Sequence, residues 1–400
     1  MFTKNKAVYL YLSSDLLNKV IPFLLLPFIS NYFGTEALFK YSNFILVFTL
    51  VQALFSTPFV SFLTVNLIKD KFIYQNGLLN YLLFWFTFVA FTFVIYALLI
   101  IVESDSSEVL LWIALGCLCS INTLYFSLLQ IQSKVIVFFI SNLARISFFC
   151  ITILIGIYLD KVDLEFIIFS FLASYMALSL VSIRYVYKQI NTFKLSFNLN
   201  FFMNMMKFGL PLLPNIALSP ARTALDRYIL MYISTTAIAG VYAGYYQMSS
   251  VVQMFSATII KSTIPNLSKC LNESNVDGFF KLVISSYKVL TAVTFVFLFT
   301  IFCFVPMLMG DDFAPYRVFS LLTLFFLFQS MSSFLTIYFQ FFDKTLDLLK
   351  INIISVFIYV IVVGLSSLFG ITSFAIGIVI ASFISFMYIY IWVRRDAKNN

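Results

Sequence analysis

Six charged residues lie inside stretches that are long and apolar enough to cross a lipid bilayer. They are Asp15, Lys19, Arg145, Arg222, Asp226 and Arg227. A charged side chain at the centre of a membrane costs about 2.5–3.5 kcal/mol, so such residues usually have a function there. Because four of the six are basic and two are acidic, a cavity lined by all of them would carry a net charge of +2, which suits an anionic ligand.

Two of these charges form a pair in the first apolar stretch, and two more form a pair in the seventh. Asp15 precedes Lys19 by four residues, and Arg222 precedes Asp226 by four, so each pair shares one helix face. We expect the two carboxylates to serve in gating or, if the chain is a transporter, in coupling to a proton or sodium gradient. A structural salt bridge, or extension of Lys19 to the membrane interface, is the alternative.

Arg145 lies in the segment SNLARIS, where Ser141 and Asn142 share its helix face. An arginine does not lose its proton in a protein, so it needs an anion or several carbonyl groups as partners. We expect contact with an anionic substrate, and pairing with an intramembrane carboxylate is the alternative. The predicted substrate-binding residues are Lys19, Arg145, Arg222 and Arg227.

The seventh apolar stretch, residues 207–235, contains three prolines, which are Pro211, Pro214 and Pro220. Each proline removes a backbone hydrogen bond and clashes with the preceding helical turn, so the pattern predicts a kinked or broken helix. Such backbone is tolerated at membrane depth only where protein covers it or where it lines a water-filled cavity. The sequence therefore predicts that this helix borders a cavity.

The composition is that of a membrane protein. Of the 400 residues, 62% are hydrophobic and 10% are charged, whereas a soluble domain has about 25% charged residues. We predict an all-α polytopic membrane protein with about 12 transmembrane helices in two six-helix lobes around a central cavity. The candidate spans are 8–33, 38–66, 78–102, 109–132, 135–159, 164–186, 207–235, 237–262, 283–307, 315–342, 347–369 and 372–393. The predicted domains are an N-terminal lobe at 1–186, a cytoplasmic linker at 187–206 and a C-terminal lobe at 207–400.

Basic residues indicate the orientation. With the N-terminus in the cytoplasm, the cytoplasmic segments hold eighteen lysines and arginines and the opposite side holds three, which favours cytoplasmic N- and C-termini. The net charge of +8 follows from these short loops, so nucleic acid is not an expected partner. The 187–206 segment is either an amphipathic interfacial helix or a simple linker.

The sequence contains no histidine, which excludes histidine bases and ordinary histidine-ligated metal sites. The five cysteines are interpreted as small buried hydrophobic residues, since their spacing is not that of a zinc site. Nucleotide-binding and nucleophile-elbow motifs are absent, and no loop is large enough for a catalytic domain. We therefore expect no enzymatic activity, no catalytic residue, no metal and no cofactor.

A tyrosine-rich stretch follows the seventh span. Tyr242, Tyr245 and Tyr246 have the type of side chain that stacks on sugars. Aromatic residues near the end of a span are more often anchors at the membrane interface, and we favour that interpretation.

Three motifs resemble those of bacterial polysaccharide-repeat flippases, the Wzx-type translocases of the multidrug/oligosaccharidyl-lipid/polysaccharide exporter superfamily. Residues 18–42, NKVIPFLLLPFISNYFGTEALFKYS, resemble the family's opening Lys-x-x-x-Phe-Leu-Leu-Leu-Pro and its following glycine turn. Residues 207–234 resemble its Gly-x-Pro-x-x-Pro and Asp-Arg-Tyr/Phe-Ile-Leu segments, and residues 237–252 resemble its Gly-x-Tyr-x-x-x-Tyr segment. The family's usual Glu-Tyr-Gly is missing after the first span.

The resemblance implies that the chain moves undecaprenyl-diphosphate-linked oligosaccharide repeat units from the cytoplasmic to the periplasmic leaflet of the bacterial inner membrane. It implies alternating access, a role in O-antigen (lipopolysaccharide) or capsular polysaccharide synthesis, and a polymerase and a chain-length regulator as pathway partners. Lys19, Asp226 and Arg227 fall on motif positions, so their roles carry over. Asp15 and the two other arginines rest on the burial argument alone.

Other functions stay open. A cation-coupled drug or solute antiporter of the same superfamily is expected to have a net acidic cavity, and the predicted cavity here is net basic. A membrane-embedded polysaccharide polymerase is expected to have a large basic periplasmic loop, which this sequence lacks. The lipid II flippase of the same superfamily has a cavity lined by more arginines, and a purely structural membrane protein is the remaining alternative.

Overall fold

The computed structural model describes residues 2–69, 71–101, 107–132, 134–190, 199–210, 213–273, 275–309, 316–342 and 344–399. Throughout this part of the chain the regular secondary structure is α-helical. The helices are α1 (Phe2–Lys69), α2 (Lys71–Ile101), α3 (Ser107–Cys119), α4 (Ile121–Ile131), α5 (Val135–Tyr158), α6 (Leu164–Ile190), α7 (Leu199–Gly209), α8 (Leu213–Ile233), α9 (Thr236–Ser249), α10 (Val251–Asn272), α11 (Val276–Met309), α12 (Tyr316–Phe341), α13 (Thr345–Ser367) and α14 (Ile371–Asn399).

Helix α1 contains both of the first two predicted spans, which meet at Gly34. This glycine has φ 84° and ψ 174° and interrupts the helical backbone. An L-amino acid with a Cβ rarely adopts such a positive φ, whereas glycine does so without a steric cost. Gly34 therefore allows the chain to bend between the two spans.

Nine helices in the described part of the chain are long and apolar enough to cross a membrane. The predicted spans 207–235 and 237–262 are not among them. Helix α8 carries three charged residues within 21 residues, and the following span is divided at Ser250 into α9 and α10. For the predicted span 8–33, most side chains before Leu25 lie outside the described part of the structure.

The chain divides into two compact units. Unit 1 contains Met1–Ile21 and Lys40–Ala221, and unit 2 contains Pro22–Phe39 and Arg222–Asn400. Unit 2 thus includes one N-terminal segment, which contains the second half of the first predicted span, together with the C-terminal helices. The lobe and linker boundaries derived from the sequence remain a prediction.

The core of unit 1 is largely aromatic. The ring of Phe44 lies 5.7 Å from that of Phe171 in an edge-to-face arrangement, and Phe48 contacts Tyr175 at 5.1 Å in the same way. A polar contact crosses this core where Asn122 donates to the carbonyl oxygen of Tyr175 at 3.1 Å. These contacts fix α6, and with it Tyr175, against α1 and α4.

Unit 2 holds its helices with aromatic pairs and a polar contact near the chain end. The ring of Tyr246 on α9 lies 4.8 Å from that of Phe326 on α12. Near the end of α14, Asp396 accepts from Lys344 at 2.6 Å and from the hydroxyl of Tyr338 at 2.7 Å. The contact between Tyr246 and Phe326 places the polar face of α9 against α12. The same face of α9 contacts the charged residues of α8.

Candidate functional site

Helix α8 places its charged residues on the face that packs into unit 2. Thr223, Asp226 and Arg227 are buried, with exposed fractions of 7%, 1% and 3%. They fall at spacings of three and four residues and so share one helix face. The opposite face is exposed and apolar or aromatic, as Tyr228 and Tyr232 show.

The three prolines predicted a kinked or broken helix, and the structure shows part of this interruption. Helix α7 ends at Gly209 and α8 begins at Leu213, so regular helix is described on both sides of the first proline, which itself lies outside the described residues. Pro220 lies inside α8, two residues before Arg222. A proline cannot donate to the preceding turn, so the backbone is locally weakened next to the first charge.

Two tyrosines hold the carboxylate of Asp226. The hydroxyl of Tyr359 on α13 lies 2.6 Å from each of its two oxygens, and the hydroxyl of Tyr242 on α9 donates to Oδ2 at 3.2 Å. A hydroxyl that donates to an ionised carboxylate forms a stronger hydrogen bond than one between neutral groups. The carboxylate is thereby fixed between three helices at a position nearly closed to solvent.

The two arginines of α8 lie against tyrosine rings. The guanidinium carbon of Arg222 is 5.6 Å from the ring centre of Tyr359, and a terminal nitrogen donates to the carbonyl oxygen of Asn352 at 3.4 Å. The guanidinium carbon of Arg227 lies 5.9 Å from the ring centre of Tyr246. Attraction between a cation and an aromatic face strengthens when water is excluded, so the rings help to retain buried positive charge.

A further contact fixes one of these rings. The hydroxyls of Thr223 and Tyr246 are 2.6 Å apart and share a hydrogen bond. The resulting group, which we call the α8 cluster, contains two cations and one anion. Its members are Arg222, Thr223, Asp226, Arg227, Tyr242, Tyr246 and Tyr359. Its formal charge with all three charged groups ionised is +1.

Arg145 belongs to unit 1, in the buried face of α5. Its guanidinium carbon lies 4.3 Å from the ring centre of Tyr175, and its exposed fraction is 8%. Among its predicted neighbours, Ser141 shares a hydrogen bond with the hydroxyl of Tyr125 at 2.8 Å, and Asn142 donates to the carbonyl of Phe138 at 3.3 Å. Unit 1 thus has a buried cation with an aromatic partner of its own.

The predicted pair Asp15 and Lys19 lies in α1, but the side chains of both residues are outside the described part of the structure. The structure therefore brings together three of the six predicted charges, Arg222, Asp226 and Arg227. It places Arg145 in the other unit.

One partner that the sequence analysis missed is Tyr359. Its signal is present, because Asn352, Ser355 and Tyr359 follow the spacing i, i+3, i+7 within an otherwise apolar helix. The interpretation of Tyr242 and Tyr245 as membrane-interface anchors is wrong, since their exposed fractions are 0% and 1%. Tyr242 is buried where its hydroxyl donates to Asp226, since a tyrosine hydroxyl is a donor that remains compatible with an apolar core.

No group of three or more histidine, cysteine, aspartate or glutamate residues is placed to hold a metal ion within the described ranges.

The fold is shared with solved transporters. An inward-facing multidrug resistance MATE family transporter of the MOP superfamily matches with a TM-score of 0.76 at 14% identity, over 96% of this chain and 95% of the other. An outward-facing MATE family transporter of that superfamily matches with a TM-score of 0.72 at 14% identity, over 98% and 96% of the two chains. These proteins have twelve helices in two lobes. The chain is therefore an all-α polytopic membrane protein with the fold of MOP superfamily transporters, as predicted.

A third match is a MOP superfamily transporter from Pyrococcus furiosus, for which a reverse polarity of the binding pocket suggests a different function. Its TM-score is 0.69 at 14% identity, over 98% of this chain and 96% of the other. At this level of identity the likeness concerns the fold alone.

The sequence profile of the polysaccharide biosynthesis protein family matches residues 4–271. Because this match includes more than half of the chain, the protein belongs to that family. No curated protein matches the sequence significantly. Membership of this family on a MOP transporter fold agrees with the resemblance to Wzx-type flippases.

Proposed function

We propose that this protein moves undecaprenyl-diphosphate-linked oligosaccharide repeat units from the cytoplasmic to the periplasmic leaflet of a bacterial inner membrane. The product would enter O-antigen or capsular polysaccharide synthesis. The family supplies the link to polysaccharide synthesis, and the transporter fold supplies a route across the membrane.

The observation that carries the proposal is the pair of arginines on α8, buried Arg227 and partly buried Arg222, beside the buried carboxylate of Asp226. A diphosphate headgroup bears roughly two to three negative charges and must exchange its water for fixed cations and donors. Arg222 and Arg227 provide two guanidinium groups, and the buried Nε of Arg222 has no hydrogen-bond partner among the described residues. A phosphate oxygen is an acceptor that fits this donor.

Lys19 and Arg145 are proposed as further contacts of the diphosphate or of the glycan. Arg145 is buried, as Arg227 is, and has an aromatic partner. The polyprenyl tail need not leave the lipid, so only the headgroup and the sugars require a polar path. An inside-negative membrane potential favours export of an anion by about 2.3 kcal/mol per charge for each 100 mV.

We propose that both termini are cytoplasmic, as the distribution of basic residues predicts. A polymerase and a chain-length regulator would then act on the translocated repeat units at the periplasmic face. Asp15 and Asp226 are proposed to gate transport or to couple it to a proton or sodium gradient.

The first test is genetic and leaflet-specific. In a strain lacking the gene, single lipid-linked repeat units are expected to accumulate on the cytoplasmic face of the membrane. Wild-type protein should restore translocation, and the variant Arg227→Ala should not. If unpolymerised single units instead reach the cell surface of the deletion strain, flipping is intact and a polymerase function replaces the proposal.

One observation favours a second function. A carboxylate that is 1% exposed and held by two tyrosines is also what a cation-coupled antiporter would require. The two arginines beside it oppose the entry of an organic cation. An antiporter would make the deletion strain more sensitive to cationic drugs while leaving its lipid-linked repeat units correctly distributed.

A further inference from the structure

The short helix α7 has one face that packs against unit 1. Met205 is completely buried, and the ring of Phe202 lies 6.0 Å from that of Phe84 on α2. Met206 packs against the same hydrophobic cluster. Residues 202, 205, 206 and 209 recur at helical spacing, so this bundle-facing side is one continuous stripe.

Next to this stripe lies a second one that is apolar yet exposed. Leu199 and Met203 are one helical turn apart, with exposed fractions of 61% and 47%, and Leu210 follows the helix with an exposed fraction of 50%. At about 100° per residue these three positions fall within one narrow arc, directly beside the buried stripe. A helix that faces water does not normally expose such a continuous apolar arc, so these side chains need an apolar environment.

Beyond the exposed apolar arc, α7 has a polar arc. Asn200, Asn204 and Lys207 are all exposed, and helical geometry places them beyond the apolar arc. Three neighbouring arcs of the helix thus follow one another: one that faces the bundle, one that suits an apolar medium and one that suits water. This arrangement is that of a helix lying in a membrane interface.

The position of α7 agrees with its three arcs. It packs on α2, whose apolar span begins at Leu78, and the apolar span of α6 ends at Gln189. Leu78 and Val186 belong to the same buried cluster as Met205. Because α7 shares a cluster with the end of one span and the start of another, it lies at the boundary of the hydrocarbon region.

Positive charge is concentrated at this boundary. Arg184 and Lys188 are exposed and one turn apart near the end of α6, and Lys207 is exposed on α7. Basic residues next to an interfacial apolar stripe attract the anionic headgroups of a membrane surface. The charge of this region is therefore complementary to an anionic bilayer rather than to a zwitterionic one.

We propose that α7 is an in-plane anchor for an anionic phospholipid surface. Leu199, Met203 and Leu210 enter the acyl region, and Lys207 binds the phosphate of an anionic headgroup such as that of phosphatidylglycerol. This surface is separate from the α8 cluster, and the proposal does not depend on what the protein transports.

The test uses the full-length protein in vesicles of phosphatidylcholine, with or without phosphatidylglycerol, with bromine on the acyl chains of one lipid at a time. Two single variants, Met203→Trp and Asn204→Trp, each add one fluorophore to the three native tryptophans, whose emission is subtracted using the parent protein. Bromine quenching of the tryptophan at position 203 and iodide quenching from water of that at position 204 are expected. Comparable iodide quenching at both positions overturns the proposal, as does protection of position 203 from both quenchers, which indicates a covering protein.

The anionic preference is tested separately in the background of the 203 variant. One interfacial lysine enriches anionic lipid locally by about fivefold, so brominated phosphatidylglycerol should quench more than brominated phosphatidylcholine at equal content. Lys207→Gln should abolish this excess, while the matched control Lys269→Gln, an exposed lysine of α10, should retain it. Equal quenching by the two lipids in the parent, or an unchanged excess in the Lys207→Gln variant, overturns the proposal.

Discussion

The hydroxyl of Tyr359 lies 2.6 Å from both carboxylate oxygens of Asp226, across 133 residues of sequence. The two residues lie on α13 and α8, and both are buried, with exposed fractions of 2% and 1%. Burying a carboxylate that has no hydrogen-bond donors costs free energy, so the hydroxyl of Tyr359 stabilises the charge of Asp226 at its buried position. The relationship joins the stability of unit 2 to the site that we propose for transport.

Replacing Tyr359 with phenylalanine keeps the ring beside Arg222 and removes the donor to Asp226. Loss of one partner of a buried polar group typically costs about 1–3 kcal/mol. We expect a lower midpoint of thermal unfolding in detergent and a loss of complementation in the deletion strain.

The matched control for this change is Tyr287→Phe. Tyr287 donates to the carbonyl of Met331 at 2.9 Å, also within unit 2, and its ring packs on Phe334 and Phe386, which are not members of the α8 cluster. A similar loss of stability with normal complementation is expected. If both variants complement equally well, the hydrogen bond to Asp226 has a structural role only.

Translocation is expected to require the guanidinium group of Arg227 and not only its positive charge. Arg227→Gln should abolish translocation, and Arg227→Lys should restore only part of it, because an ammonium group lacks the planar donors of guanidinium. Translocation is measured as the fraction of lipid-linked repeat units reaching the periplasmic leaflet. Arg317→Gln, at an exposed position on α12, should be neutral. Full activity of Arg227→Gln would remove this arginine from the proposed site.

Ion coupling is tested with carboxamide substitutions. The double variant Asp15→Asn, Asp226→Asn keeps the shape of both side chains but cannot bind a proton or a sodium ion as a carboxylate does. In vesicles, an imposed proton or sodium gradient should accelerate transport by the wild type and leave the variant unaffected. Gradient-driven transport that persists in the double variant would exclude these carboxylates from coupling.

Gly240 on α9 is expected to be intolerant of any side chain. A Cβ atom there would clash with the backbone carbonyl oxygen of Thr35, a residue of the same unit. Backbone cannot move aside as a flexible side chain does, so Gly240→Ala should destabilise the protein by about 1–3 kcal/mol, as overpacking does.

The same substitution at Gly364 provides the control. Helix α13 leaves open space around this residue, and alanine is favoured over glycine within a helix by about 0.5–1 kcal/mol. Thermal unfolding in detergent should therefore show a decrease for Gly240→Ala and no decrease for Gly364→Ala. Equal midpoints for the two variants would contradict the close approach of α9 to Thr35.

The sequence was sufficient for the fold class because hydropathy and charge placement depend only on local composition. It also indicated Asp226 and Arg227, since charges in an apolar span are visible without a structure. It did not indicate Tyr359 as their partner, because the pairing spans 133 residues and a lone tyrosine in an apolar helix has several possible roles. That Pro22–Phe39 belongs to unit 2 likewise depends on tertiary packing, which local patterns do not specify.

The most direct test of the central claim is a flipping assay with purified protein in vesicles. A short polyprenyl-diphosphate oligosaccharide is placed in both leaflets, and a membrane-impermeant glycosidase reports the fraction that reaches the outer surface. The account predicts that wild-type protein makes nearly the whole pool accessible, whereas the double variant Arg222→Gln, Arg227→Gln leaves the inner leaflet protected. Equal accessibility with both proteins, or protection of the inner leaflet with the wild type, would contradict the account.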